Sequence, residues 1–169
     1  MANPAYAFTR EFTRTNSIVF LSDNLRNTLR EVIREYGISP NNLVQDWGTI
    51  ERGIRTWLES GHLLNVVIEF FKPGASTASA RWDVPIGYDS SGVVDDMWLD
   101  KNYLRQLIAK SKRPTPDCVY RVVLVTRPGK PWVDGFTNCT FLSTGTLAAR
   151  HAGTVIATGH LTAGVTYWR

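Results

Sequence analysis

GFTNCTFLSTGTLAARHAGTVIATGHLTAGVTYW, from Gly135 to Trp168, decides how this chain is read, because Arg150 is its single charged side chain. A terminal stretch so poor in charge makes a bad solvated tail. Disordered segments are polar and charged, and they bury too little apolar surface to offset chain entropy. Phe136, Phe141, Leu142, Leu147, Val155, Ile156, Leu161, Val165, Tyr167 and Trp168 all need cover. The segment therefore lies against its own domain or over a partner held beneath it. Gly145, Gly153, Gly159 and Gly164 divide it into short β-like pieces.

Working back from this tail, Val119, Val122, Val123, Leu124 and Val125 form a strongly apolar strand, and TRPGKP (Thr126 to Pro131) turns it. Trp132 to about Phe141 is expected to return as a further strand. Upstream, Leu99 to Lys110 reads as a helix with Tyr103, Leu104, Leu107 and Ile108 inward, stopped by Pro114 and Pro116. LLNVVIEFF (Leu63 to Phe71) is β-branched and aromatic, hence a strand. After Lys72-Pro73-Gly74, Ala80, Trp82, Val84 and Ile86 alternate with Arg81, Asp83 and Pro85, the period of a strand with one buried face.

The first third is helical. Ile18, Leu21, Leu25, Leu29, Val32, Ile33 and Tyr36 fall at steps of three and four, with Asn16 or Ser17 as the cap and Gly37 past the end. Trp47, Ile50, Ile54, Trp57 and Leu58 mark a second helix ending at Gly61, with Asn42 and Gln45 in the outline of a capping box. Residues 5–15 alternate loosely around Phe8 and Phe12 and are read as a short strand or extended arm. The order is arm, helix, helix, hairpin, helix, hairpin, tail. Helices and antiparallel strands are segregated, which predicts an α+β two-layer fold with three helices on one face of the sheet.

Length bounds the organisation: 169 residues suit one domain, and the formal charge of +4 is mild. The cluster Lys110, Lys112 and Arg113 is read as a solvated helix end, where cations complement the helix dipole, ahead of a nucleic-acid contact. Cys118 and Cys139 form no CxxC, and a buried reduced pair is expected. MANPAYAFTREF lacks the apolar core of a signal peptide, and no run approaches the roughly 18 apolar residues of a membrane span. These features predict a soluble cytoplasmic protein that makes no membrane contact.

Catalytic patterns are missing: the chain has no GxSxG, Walker loop, GxGxxG or HExxH. The three histidines stand apart, and the spacing of His151 and His160 fits no metal pattern. Asp89, Asp95 and Asp96 are read as loop solvation and capping of the next helix. No enzyme, cofactor or metal is expected. Two competing readings are a small enzyme with a noncanonical site in the acidic Gly87–Asp96 loop, and a basic nucleic-acid-binding module around Lys110–Arg113.

FTREFTRTN (Phe8 to Asn16), a long amphipathic helix ending REYGISP (Arg34 to Pro40), and WLESGHLLNVVIEFF (Trp57 to Phe71) resemble the opening of bacterial HORMA domains. His62 stands where that family has an aromatic residue after the glycine. The resemblance implies one HORMA-like domain over 1–169, a flexible N-terminus at about 1–7 and a C-terminal safety belt at about 144–169. It implies a peptide-binding adaptor: a closure-motif peptide adds to a sheet edge and the belt closes over it. It also implies binding and activation of a cGAS/DncV-like nucleotidyltransferase (CD-NTase) in CBASS-type antiphage defence. A pachytene-checkpoint-type AAA+ ATPase would reset the closed form by gripping the N-terminus, here Ala2, Asn3 and Pro4. A second HORMA protein or another copy of the chain is a further partner the resemblance allows.

The residues support the same device. A strand laid on an edge gains main-chain hydrogen bonds worth about 0.5–1.5 kcal/mol each, too little to hold it alone. An uncharged, glycine-jointed cover would slow its release. The expected edge lies within Trp132–Phe141, fastened by about Leu147–Arg169. Phe136, Phe141, Val155, Ile156, Tyr167 and Trp168 are the expected contact or clamp residues, and strand alternation turns about half of them toward the core. The opposing reading makes residues 135–168 permanent strands of a rigid β-rich half.

Overall fold

The computed structural model describes residues 4–88 and 97–169. Two helices open the chain, α1 (Pro4–Glu35) and α2 (Asn41–Glu59), followed by β1 (Leu63–Phe71) and β2 (Ala80–Tyr88). A two-residue strand, β3 (Trp98–Leu99), leads into α3 (Lys101–Lys110), and β4 (Val119–Thr126), β5 (Ala149–Ala157) and β6 (Leu161–Trp168) complete the fold. The six strands form one sheet in the order β3-β5-β6-β2-β1-β4. Every neighbouring pair in it is antiparallel. The expected α+β architecture is present, with three helices against an antiparallel sheet.

The helical spacing of the first third produces one continuous buried stripe: Ile18, Leu21, Leu25, Leu29, Val32, Ile33 and Tyr36 are all in the core. Trp47, Ile54, Trp57 and Leu58 add the inner face of α2. Opposite them, the sheet presents Leu63, Val66, Ile68 and Phe70 of β1 and Ala80, Trp82, Val84 and Ile86 of β2. Register aligns these rows, with Ile68 beside Trp82 and Val66 beside Val84. Gly37 and Gly61 have φ of 73° and 74°, the left-handed conformation that lets each helix reverse without steric cost.

Several local expectations differ from the structure. Residues 5–15 are the first part of α1, not a strand or arm, so Asn16 and Ser17 lie inside the helix rather than capping it. Phe8 and Phe12 are four apart, a spacing that serves a helix as well as a loose strand. No side chain of α2 caps its start; the Leu43 N–H instead donates to the Tyr120 hydroxyl from β4, 3.0 Å away. Asn42 and Gln45 form no capping box there. Helix α3 is capped by Asp100, whose carboxylate accepts from the Tyr103 N–H at 2.9 Å. Asp89, Asp95 and Asp96 lie outside the described residues.

Trp132 to Phe141 forms no strand; it is irregular, with a turn at Asp134-Gly135. The tail supplies two full strands instead, β5 and β6, and β6 sits inside the sheet between β5 and β2. The thiols do not meet as a buried pair: Cys118 is buried and Cys139 exposed, both free. No helix among the described residues is long and apolar enough to cross a membrane.

One polar chain ties the layers together in the core. The Trp82 Nε1–H donates to the Tyr36 hydroxyl at 2.7 Å, and that hydroxyl is hydrogen-bonded to Ser111 just past α3. Burial pushes the Tyr36 hydroxyl above its ordinary range, partly offset by these two bonds. Tyr36→Phe is expected to destabilise the fold by about 1–3 kcal/mol in denaturant titration, because it orphans a buried indole N–H. The pH dependence has a definite sign. With its pKa raised in the fold, Tyr36 contributes fully below its unfolded value of 10.0, and stability falls as pH rises beyond it. Part of the alkaline fall in stability should therefore disappear in the Tyr36→Phe variant.

Candidate functional site

The two edges of the sheet are treated differently. At the β5 edge, the Asp100 N–H donates to the Val155 carbonyl at 2.8 Å, and the Gly153 N–H donates to the Tyr103 hydroxyl at 3.2 Å. Together with β3, these contacts occupy outward main-chain groups of β5. At the other end, β4 pairs with β1 alone among the described residues, so there its outer N–H and C=O groups, on alternate residues, meet no strand. Its sequence VYRVVLVT is apolar on both faces apart from Arg121, a mostly uncharged edge of the kind that proteins normally guard.

The chain that leaves β4 wraps this edge. It turns at Gly129 (φ 80°) and runs onto α2. The Pro131 carbonyl accepts from the Trp57 indole N–H at 2.9 Å, and Phe136 meets the Trp57 ring edge-on at 5.0 Å between centroids. Two small contacts allow this approach. A Cβ on Gly53 would stand 2.5 Å from the Phe136 ring, and one on Gly135 would stand 2.6 Å from Thr49. Gly135 also has φ 94°, which side-chain-bearing residues rarely adopt.

The chain then crosses to the face of the sheet that carries no helix. Phe141 lies over the Arg81 guanidinium at 4.2 Å, and Trp168 flanks the same group at 4.9 Å. Asp83 holds that guanidinium from the side, with oxygens at 2.7 and 3.0 Å from its nitrogens. Ser143 bridges Thr77, its carbonyl accepting from the Ala78 N–H at 2.8 Å and its N–H donating to the Ser76 carbonyl at 3.1 Å. Since Phe136 is fixed on the helix side and Phe141 on the other, Thr137 to Thr140 must arch over the β4 edge. We call residues 130–143 the strap.

Between the strap and β4 lies a cavity of about 410 Å³. Trp57, Val122, Leu124, Val133 and Phe136 line it, as do Val123, Val125, Cys139 and Phe141, and Lys130 is the one charged residue on its wall among the described residues. Trp132 stands at its rim with 81% of its surface exposed, its indole N–H donating to Asp134 at 2.8 Å.

Of the expected contact residues, the cavity brings together Phe136 and Phe141. Val155 and Ile156 are fully buried in β5, and Tyr167 stacks near Trp82 at 6.0 Å on the helix side. Trp168 reaches the site through Arg81, which it shares with Phe141, and through Asp83, whose carboxylate accepts from its indole N–H at 3.2 Å. Ala2 and Asn3 lie outside the described residues; Pro4 begins α1. Sequence reasoning missed Trp57, Lys130 and β4 itself as parts of the site. The signal was present in β4, an apolar strand whose alternation fails on both faces. Among the described residues, no group of three or more His, Cys, Asp or Glu is placed to hold a metal.

This arrangement can be compared with known proteins. A chain of a crystal structure of the mitotic checkpoint complex is similar with a TM-score of 0.71 at 9% identity, over 90% of this chain and 97% of that one. A chain of the E. coli MS115-1 HORMA:CdnC:Trip13 complex gives 0.58 at 16% identity, over 93% and 89%. A C. elegans structure of HTP-2 bound to the HIM-3 closure motif gives 0.50 at 15%, over 77% and 71%. At these identities the likeness is one of fold. Comparison with curated proteins by sequence finds no match. The sequence model of the family described as Bacterial HORMA domain 2 matches residues 7–169, and the chain belongs to that family.

Proposed function

We propose that this protein is a peptide-capture adaptor in which an extended peptide adds to the outer edge of β4 and is enclosed by the strap. One observation carries the reading: a largely apolar strand edge whose outer main-chain groups meet no strand among the described residues, wrapped by its own chain, with a cavity between them. Main-chain pairing supplies the generic attraction, and pockets on either side of the new strand supply selectivity. The HTP-2 structure, a fold neighbour, holds a closure motif, which supports the same use of the fold here.

The cavity wall describes the peptide. Apolar side chains line both sides of the β4 edge, so a captured strand would be covered on both faces, as a central strand is. Such strands read as continuous apolar runs rather than alternations. Lys130 favours an acidic group at the rim and opposes a basic one.

The E. coli HORMA complex with CdnC and Trip13 supports a signalling role beyond capture. In this reading, peptide binding stabilises the strapped form, which then engages a cGAS/DncV-like nucleotidyltransferase in antiphage defence. A Trip13-type AAA+ ATPase resets it by pulling on the N-terminus around Ala2, Asn3 and Pro4. The protein does no chemistry itself. Its product is a surface that exists only while the peptide is held.

Selection of displayed random peptides on the full chain tests the binding mode. Recovered sequences should share a run of three or more consecutive Val, Ile, Leu or Phe, without Lys or Arg inside it. Enrichment of strictly alternating or basic peptides would overturn the reading. Phe136→Ala removes the ring that closes the helix side of the cavity and should weaken the best recovered peptide at least tenfold by fluorescence anisotropy. Gly53→Ala attacks the same contact from α2, since its methyl must displace that ring, and should also weaken binding while helix content stays constant.

A further inference from the structure

In β1 one residue is charged: Glu69, in LLNVVIEFF, has a fully buried side chain. It faces the helix-free side of the sheet, as Val67 does, whereas Ile68 and Phe70 belong to the helix-side core. Its cross-strand partner in register is Arg121 of β4. The Arg121 Nε–H donates to Glu69 Oε1 at 2.7 Å. Each member keeps one arm for the strap: Glu69 Oε2 accepts from the Leu142 N–H at 2.8 Å, and Arg121 Nη2 donates to the Thr140 carbonyl.

These two strap groups are two residues apart, so in extended chain they point to the same side. The ion pair thus takes the place of a neighbouring strand, offering one acceptor and one donor to a passing backbone. We infer that Glu69 and Arg121 are positioning residues that fasten the strap in its closed course and set how often it opens.

The choice of charge over an apolar clasp has a physical consequence. Burying a carboxylate costs several kcal/mol unless its lone pairs are satisfied, and here both oxygens are. Charge-assisted bonds of this kind are stronger and more directional than neutral ones, so they select one register of the strap. When the strap lifts, the pair stays joined across β1 and β4 and water takes the freed arms. The uncovered site is then a hydrated ion pair. An apolar clasp would expose its whole area on release. The pair therefore specifies where the strap lies without locking it there. This role bears on peptide release only if the proposed capture is right, but the fastening itself is independent of any peptide.

Amide hydrogen exchange on the full, ligand-free chain tests it. In Glu69→Gln, the hydrogen-bonded strap amides of Leu142 and Ser143 should exchange at least tenfold faster, while those of β1 and β2 keep their wild-type rates. Arg121→Lys retains the positive charge but loses the second arm, and should give a smaller acceleration confined to the same residues. It also serves if Glu69→Gln does not fold. Unchanged strap exchange in the folded variant, or acceleration spread equally over strap and β1–β2, would overturn the inference. Absence of peptide binding with selective acceleration would leave the fastening intact and remove only the proposed capture.

Discussion

A β-strand cannot leave one side of its backbone unpaired without consequence, and this fold is organised around a single such side. Six strands make two edges. One is closed by the start of α3, through Asp100 and Tyr103, and by the short β3. The other, β4, receives no strand or helix alongside it among the described residues. Everything distinctive about the second half of the chain answers that asymmetry. The turn after β4, the docking onto α2 and the passage across the sheet all carry the backbone around an edge that nothing else covers.

The two anchorages of that passage are chemically unlike. On the helix side the contact is close packing, made possible by the absence of side chains at Gly53 and Gly135. Such packing is unforgiving of volume change, because interiors are as dense as organic crystals. On the other side the contacts are polar or charged: the Ser143 bridge, the Arg81 guanidinium beneath Phe141, and the Glu69–Arg121 pair. Polar anchors exchange readily with water, whereas packed aromatic anchors do not. The strap is therefore held firmly where it leaves α2 and reversibly where it crosses the sheet.

Periodicity made the scaffold legible. The steps of three and four from Ile18 to Tyr36, and the alternation from Ala80 to Ile86, each describe a face that the structure does bury. The failures share a cause. Trp132, Val133, Phe136 and Phe141 look like a strand because they are apolar, but Phe136 answers to distant Trp57 and Phe141 to distant Arg81. The cap of α2 comes from Tyr120, 77 residues away, which no local pattern announces. Phe8 and Phe12 satisfy two periods at once. The residues of β5 and β6 are legible as apolar, but apolarity cannot say which of two faces each meets; Val155 and Ile156 meet the core, within the half that strand alternation turns inward. Two signals were readable and passed over: the lone carboxylate in LLNVVIEFF, and an eight-residue strand that is apolar on both faces save for the one arginine opposite that carboxylate.

An edge of this kind is also a hazard between molecules. Seven residues of Val, Leu, Tyr and Thr around one Arg, with outward main-chain groups that pair with nothing among the described residues, form a template on which a similar strand can add to the sheet. Two copies that are both unguarded are each other's nearest match, so the chance of such a meeting rises with the square of the unguarded fraction. A chain wrapped around its own vulnerable margin thus acts as a built-in chaperone, and cellular solubility sets a ceiling on how long that margin can stand bare.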